Sequence, residues 1–261
     1  MSTGKAKGRG VKDITAERLA RLNAGAEATT LTECLAVDFA ELIGNILPEI
    51  GCDALSEIRV NASTGILRRM SLAADVIVDR LGAGAFERVA RHPSDTARGW
   101  ACFMIGNAAE MDLCARLDTI RPFAADPHFG VREWSWMAVR PHLTAELDRT
   151  IALLAEWTAD PSDRIRRFAS EAIRPRGVWC AHITVLKKQP ELALAVIEPL
   201  RADPSTYVQD SVANWLNDAS KDHPGWVEAL CARWSSKNPT LATTRICRRG
   251  LRSIKNTDRK A

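Results

Sequence analysis

The chain has 261 residues, 46% of them hydrophobic and 26% charged, which fits one large or two small folded domains and excludes a disordered chain. Lys and Arg total 36 against 32 Asp and Glu, so the net charge of +4 excludes a histone-like polycation and leaves room for a local basic groove. No stretch approaches the ~18 consecutive apolar residues of a membrane span, and no membrane partner is expected.

The first twelve residues carry Lys5, Lys7, Arg9 and Lys12 with no acid and no apolar stretch of the secretory kind, so residues 1–13 read as a flexible basic arm able to touch phosphates nonspecifically. From Ile14 onward, Leu19, Leu22, Leu31, Leu35, Phe39, Leu42, Ile43 and Ile46 recur at three- and four-residue steps, the period of amphipathic helices. Strand-like alternation is absent and Pro or Gly punctuates the chain at helix-pair intervals.

Four segments then begin alike: HPSDTARGW at 92, DPHFGVREW at 126, DPSDRIRRF at 160 and DPSTYVQDS at 203. Aligned on Pro93, Pro127, Pro161 and Pro204 they are spaced 34, 34 and 43 residues apart, and each Pro is expected in the first turn of a helix, where its missing N–H costs nothing. Ala97, Val131, Ile165 and Val208, then Trp100, Trp134, Phe168 and Ser211, then Ala138, Ala172 and Trp215, form the stripe that packs on neighbouring repeats. Helix pairs at this period predict an all-α, HEAT-like superhelical solenoid over residues 14–261, built as a single domain with an extended concave face that is basic.

The sixth, tenth and thirteenth or fourteenth residues after each Pro share another face. They are Gly99, Phe103 and Gly106; Glu133, Met137 and Arg140; Arg167, Glu171 and Arg174; then Asp210, Asn214, Asn217 and Asp218, followed by Lys221. A charged helix face is ordinarily just solvated. Here Arg suited to phosphates, acids among them, and Trp136 and Trp179 within reach favour a functional face. At the C-terminus RICRRGLRSIK sets Arg245, Arg248, Arg249, Arg252 and Lys255 around apolar Ile246, Leu251 and Ile254, which suits either a nucleic-acid backbone or a solvated capping helix. Seven scattered Cys without a CxxC pair read as reduced core thiols of a cytoplasmic protein, and five His without ligand spacing predict no metal site.

VDFAELIGNILPEI, RRFASEAIRPRGVW, YVQDSVANWLNDASKDHP and RICRRGLRSIK resemble the DNA alkylation repair glycosylases built from HEAT-like repeats, of AlkC and AlkD type and closer to AlkC. The likeness runs from about residue 25 onward and leaves no room for the immunoglobulin-like domain that some members carry. It implies excision of cationic alkylated bases such as 3-methyladenine, with 3-methylcytosine and 7-methylguanine as further candidates, from duplex DNA. It further implies no full base flipping, no metal or other cofactor, and no obligate protein partner, in a protein that joins the bacterial nucleoid when on DNA. Carried across residue by residue, it matches Glu133 and Asp218 to the family's functional carboxylates and puts Trp179, Arg167 and Glu171 at lesion- and backbone-facing positions.

The chemistry is consistent with those residue types. A base alkylated on a ring nitrogen leaves as a neutral molecule and needs no general acid, while fixed carboxylates stabilise the oxocarbenium ion left on the sugar. Glu133 and Asp218 are therefore the candidate catalytic acids with Glu171 in reserve, and Trp179, then Trp136, the candidate rings for cation–π contact with the lesion. Arg140, Arg166, Arg167, Arg174, Arg176, Asn214, Lys221, Arg245, Arg248, Arg249 and Arg252 are candidate DNA contacts. Trp134, Trp157, Trp215, Trp226 and Trp234 read as core. The alternative is a non-catalytic HEAT-like scaffold that binds DNA or a protein.

Overall fold

The computed structural model describes residues 10, 13–236 and 239–254. The four cations of the expected N-terminal arm and Lys255 lie outside the described residues. Within them every regular element is helical and none is a strand. In chain order the α-helices are α1 (Ala16–Asn23), α2 (Leu31–Ala36), α3 (Phe39–Ile46), α4 (Cys52–Val60), α5 (Ile66–Leu81), α6 (Ala85–Ala90), α7 (Asp95–Asn107) and α8 (Leu113–Ala124). They continue as α9 (Phe129–Ala145), α10 (Leu147–Trp157), α11 (Asp163–Ala172), α12 (Thr184–Lys188), α13 (Leu194–Ile197), α14 (Thr206–Ala219), α15 (Pro224–Ser235) and α16 (Leu241–Gly250).

Polar side chains set the helix starts. Thr15, Thr30, Asp38, Ser94, Asp112 and Thr240 each accept the backbone N–H three residues on, satisfying a donor that the first helical turn leaves unpaired. The repeated prolines sit slightly upstream of where the sequence puts them. Pro93, Pro161 and Pro204 immediately precede the caps Ser94, Ser162 and Ser205, outside the helix.

The reason is a local turn. Asp160 Oδ1 accepts from Ser162 N at 2.7 Å and Asp203 Oδ1 from Ser205 N at 2.8 Å, with His92 Nδ1 taking the Asp role for Ser94 N at 3.0 Å. Five residues after each Pro a long polar side chain folds back onto the same turn. Arg98 donates to His92 O and Pro93 O, Arg166 to Asp160 O and Pro161 O, and Gln209 to Asp203 O. The repeat is thus a helix-entry device as well as an apolar stripe.

The described residues fall into two compact units, the first those up to Ala109 together with His128–Ala138, the second Glu110–Pro127 together with those from Val139 onward. In the first, α5 packs on α7 and α7 on α6 around Met70, Ala73, Ile77 and Trp100, all fully buried. A Cβ on Gly106 would lie 2.5 Å from Ala138 O, so this close backbone approach tolerates only glycine. In the second, α14 packs on α11 and α16, and Trp215, fully buried, donates its indole N–H to Ile173 O at 3.0 Å. The expected stripe is buried throughout, at Ala97, Trp100, Val131, Trp134, Ala138, Ile165, Phe168, Ala172, Val208, Ser211 and Trp215. Cys34, Cys102, Cys231 and Cys247 are buried; Cys52 is exposed.

Replacing Gly106 by Ala should destabilise the fold by about 2 kcal/mol through overpacking, read from urea unfolding. A second expectation concerns acid. The hydrogen bond from Arg18 holds the Glu33 carboxyl down at about 2, against the opposing effect of burial and with help from Thr29. A carboxyl whose folded value lies below its unfolded one stabilises the fold above the unfolded value and loses that contribution as pH falls toward 2. The melting temperature should therefore drop between pH 5 and 2.5, and drop less steeply in Glu33→Gln.

Candidate active site

In the second unit, α11 and α14 meet across a cluster of charge. Arg174 donates from Nη1 to Glu171 Oε1 at 2.6 Å, and from Nε and Nη2 to Asp218 Oδ2 at 2.9 and 2.8 Å. The other Glu171 oxygen accepts from Ser211 Oγ at 2.6 Å and lies 3.7 Å from Arg167 Nη2. Asp218 Oδ1 is 3.4 Å from Lys221 Nζ, and that side chain is half-exposed. Both acids are buried. Burial alone would raise the Glu171 carboxyl, but Arg167 and Arg174, with the Ser211 bond, outweigh it and hold the group below its ordinary value. Two expected catalytic acids are therefore brought together, joined by an arginine expected on phosphate. The Arg167 guanidinium also stacks 4.4 Å from the centre of the Tyr207 ring.

After α11 the chain leaves the helix and returns at α12. Ile183 N donates to Pro175 O at 3.1 Å and closes this excursion at its base. At its tip Val178 and Trp179 are exposed, Trp179 by 46%, and Trp179 has φ +63°, the one non-glycine residue with positive φ among the described residues. The expectation that Trp179 is not a core tryptophan agrees with this placement. Arg140 does not reach outward. It is 2% exposed and donates to Ala172 O and Arg174 O at 2.6 Å each, and to Ala181 O from two nitrogens at 3.3 Å. Burial lowers its pKa, and its fork is engaged with main-chain carbonyls in place of phosphate.

In the first unit, Glu133 is partly exposed and Trp136 is buried. The Trp136 indole N–H donates to Glu133 Oε2 at 2.9 Å. This corrects the role expected of Trp136: an indole that is 2% exposed has no face to offer a base, and it orients a carboxylate through its N–H edge.

The remaining cations divide by partner. Arg166 is bound to the Asp203 carboxylate from Nε at 2.6 Å and to the turn carbonyls already described, a structural clamp where a phosphate contact was expected. Arg176 pairs with Asp222 at 2.8 Å. Arg245 and Arg249 share Asp210 Oδ1 at 2.6 and 3.2 Å, and Arg252 donates to Asn214 Oδ1 at 3.0 Å. Arg248 is exposed and has no partner among the described residues. The face read as exposed is largely packed, with Phe103, Met137, Arg140, Glu171, Asn217 and Asp218 all buried.

One cluster escaped the sequence because its members are far apart in the chain. Cys34, Asp95 and His128 of the first unit are buried with ligand atoms within 4.8 Å of one another. Asp95 accepts from Ala28 N at 2.8 Å and from Cys34 Sγ at 3.4 Å, and His128 Nε2 lies 2.8 Å from Ala28 O. Gly130 N donates to His128 Nδ1 at 3.1 Å, which leaves the proton on Nε2. With these atoms engaged on one another and on the backbone, the cluster reads as a clamp on the segment before α2.

Residues 131–246 match the family described as DNA alkylation repair enzyme. A Bacillus subtilis (strain 168) protein called uncharacterized protein YhaZ is 41% identical over 105 residues, covering 40% of this chain and 29% of that protein. Among solved structures, the Pseudomonas fluorescens alkylpurine DNA glycosylase AlkC, bound to DNA containing an abasic site analogue, aligns with a TM-score of 0.67. Its identity is 23%, over 95% of this chain and 65% of that one. AlkD2 from Streptococcus mutans aligns with a TM-score of 0.55 at 20% identity, over 90% of this chain and 96% of that one. These likenesses show a shared helical-repeat fold. The chain spans less than two thirds of the AlkC chain, and its alignment covers less than a third of the Bacillus relative.

Removing the guanidinium that joins the two buried acids tests the charge cluster directly. Arg174→Met should leave Glu171 and Asp218 buried without their shared partner and cost about 3–5 kcal/mol in urea unfolding.

Proposed function

We propose that this protein, whose residues 131–246 match the family described as DNA alkylation repair enzyme, is a monofunctional DNA glycosylase. Its substrates would be cationic alkylated bases in duplex DNA, 3-methyladenine foremost. The observation that carries the proposal is the Glu133 carboxylate, partly exposed and oriented by the Trp136 N–H at 2.9 Å. When the N-glycosidic bond breaks, its electron pair goes to the cationic base, which departs neutral. The positive charge moves to the sugar, where a fixed carboxylate stabilises it until water adds at C1′. No acid has to protonate the leaving group.

Charge balance ranks the candidate acids. Glu133 comes first because it is accessible. Asp218 follows, since two of the Arg174 nitrogens share one of its oxygens and offset part of its field. Glu171, buried and held by Arg174, Ser211 and Arg167, serves best as the group that fixes Arg174. The exposed Trp179 ring offers a π face to a cationic base, worth about 0.5–2 kcal/mol, which normal adenine does not gain. Arg248 and Lys221 are the cations of the set best placed to meet phosphate, Arg248 because nothing among the described residues engages it.

The test is release of free base. The protein incubated with methylated DNA should liberate 3-methyladenine, and Glu133→Gln should slow that release at least about tenfold while DNA affinity stays within about threefold. A wild-type protein that binds the DNA in a salt-dependent way and liberates no base is a helical-repeat scaffold.

A further inference from the structure

The segment between α11 and α12 is held more tightly than its lack of regular structure suggests: Arg176 pairs with Asp222 at its surface, and one internal side chain ties its two stems to each other. The Arg140 guanidinium bonds the outgoing stem through Ala172 O and Arg174 O, and the returning stem through Ala181 O. The Ile183 N to Pro175 O bond closes the base. Inside the loop a Cβ on Gly177 would fall 2.2 Å from Cys180 Sγ and 3.3 Å from Arg140 Cζ, so a larger residue there must displace the Cys180 side chain and crowd the guanidinium. What this anchored loop presents is Trp179, exposed and in a left-handed backbone conformation that the surroundings must impose on a bulky residue. Lysine could not replace the planar fork, because a single ammonium cannot span three carbonyls on two stems.

We propose that Arg140 is a positioning residue for base excision: it locks the loop from 174 to 183 so that the Trp179 ring is presented to the cationic base in its working orientation before DNA arrives. The proposal rests on the glycosylase reading above and assigns to an internal side chain a role exerted wholly through Trp179. Preorganisation of this kind affects the excision step more than affinity, because the ordering cost is met during folding.

The test is a double-mutant cycle on the full chain, using Arg140→Lys, Trp179→Ala and the two combined. Single-turnover excision, DNA affinity and amide hydrogen exchange over residues 176–182 are measured for each. Arg140→Lys should slow excision about tenfold with affinity within about threefold, and should speed exchange in that segment about tenfold while α14 is unchanged. The double variant should be no slower than Trp179→Ala alone. Multiplying effects in the double variant, or unchanged exchange in Arg140→Lys, would overturn the proposal. Should Arg140→Lys fail to fold, Gly177→Ala, which strains the same loop, takes its place in the cycle with the same two outcomes deciding. A wild-type protein that releases no base removes the glycosylase reading. In that case faster exchange in Arg140→Lys still shows the loop anchor, whereas unchanged exchange removes both.

Discussion

A single guanidinium between two buried carboxylates sets the character of the second unit. Arg174 bonds Glu171 on its own side of the α11–α14 contact and Asp218 on the other. One positive charge cannot neutralise two acids. Arg167, near Glu171, and Lys221, near Asp218, supply the balance from either flank. Arg167, Arg174 and the Ser211 hydrogen bond favour the ionised form of Glu171 against its burial, since a buried ion persists only with an opposite partner at hand. The cluster also ties the electrostatics of either acid to the other, so neither can be regarded as an isolated carboxylate.

Arginine in this protein is chiefly an internal fastener. Arg98 and Arg166 tie helix-entry turns, with Gln209 in the equivalent place, and Arg140 holds a loop by its carbonyls. A carbonyl, a carboxylate and a phosphate all present oxygen lone pairs to which a guanidinium fork can donate, so residue type alone does not tell which one it meets. The apolar stripe was legible for the opposite reason. Val131, Ile165 and Val208 have one favourable destination, the interior, and the repeat spacing assigns it. The polar face is packed where its pattern predicts exposure because its helices are covered on more than one side, and an amphipathic pattern registers only the most apolar of those sides.

The tryptophans show the same division. Trp134, Trp157, Trp215 and Trp234 are core residues as their stripe or helix positions suggested, Trp226, expected with them, is only partly buried, and Trp179 is surface-bound as its place after Pro175 and Gly177 suggested. Trp136 differs because its function lies in the edge of the ring. An indole N–H three residues from a carboxylate, one helical turn away, is a sequence signal for a held acid, and it is the feature that singles out Glu133. The Cys34, Asp95 and His128 cluster carries no such local mark, since its partners come together only through the tertiary fold.

The left-handed backbone at Trp179 sets heat tolerance against presentation of an aromatic ring at one position. Glycine or asparagine would sit there with less strain, so variants chosen for thermal endurance would drift toward them and lose the ring. A lineage that keeps tryptophan at this site accepts a small, permanent conformational debt, and an aromatic retained there would be a mark of selection on the ring itself.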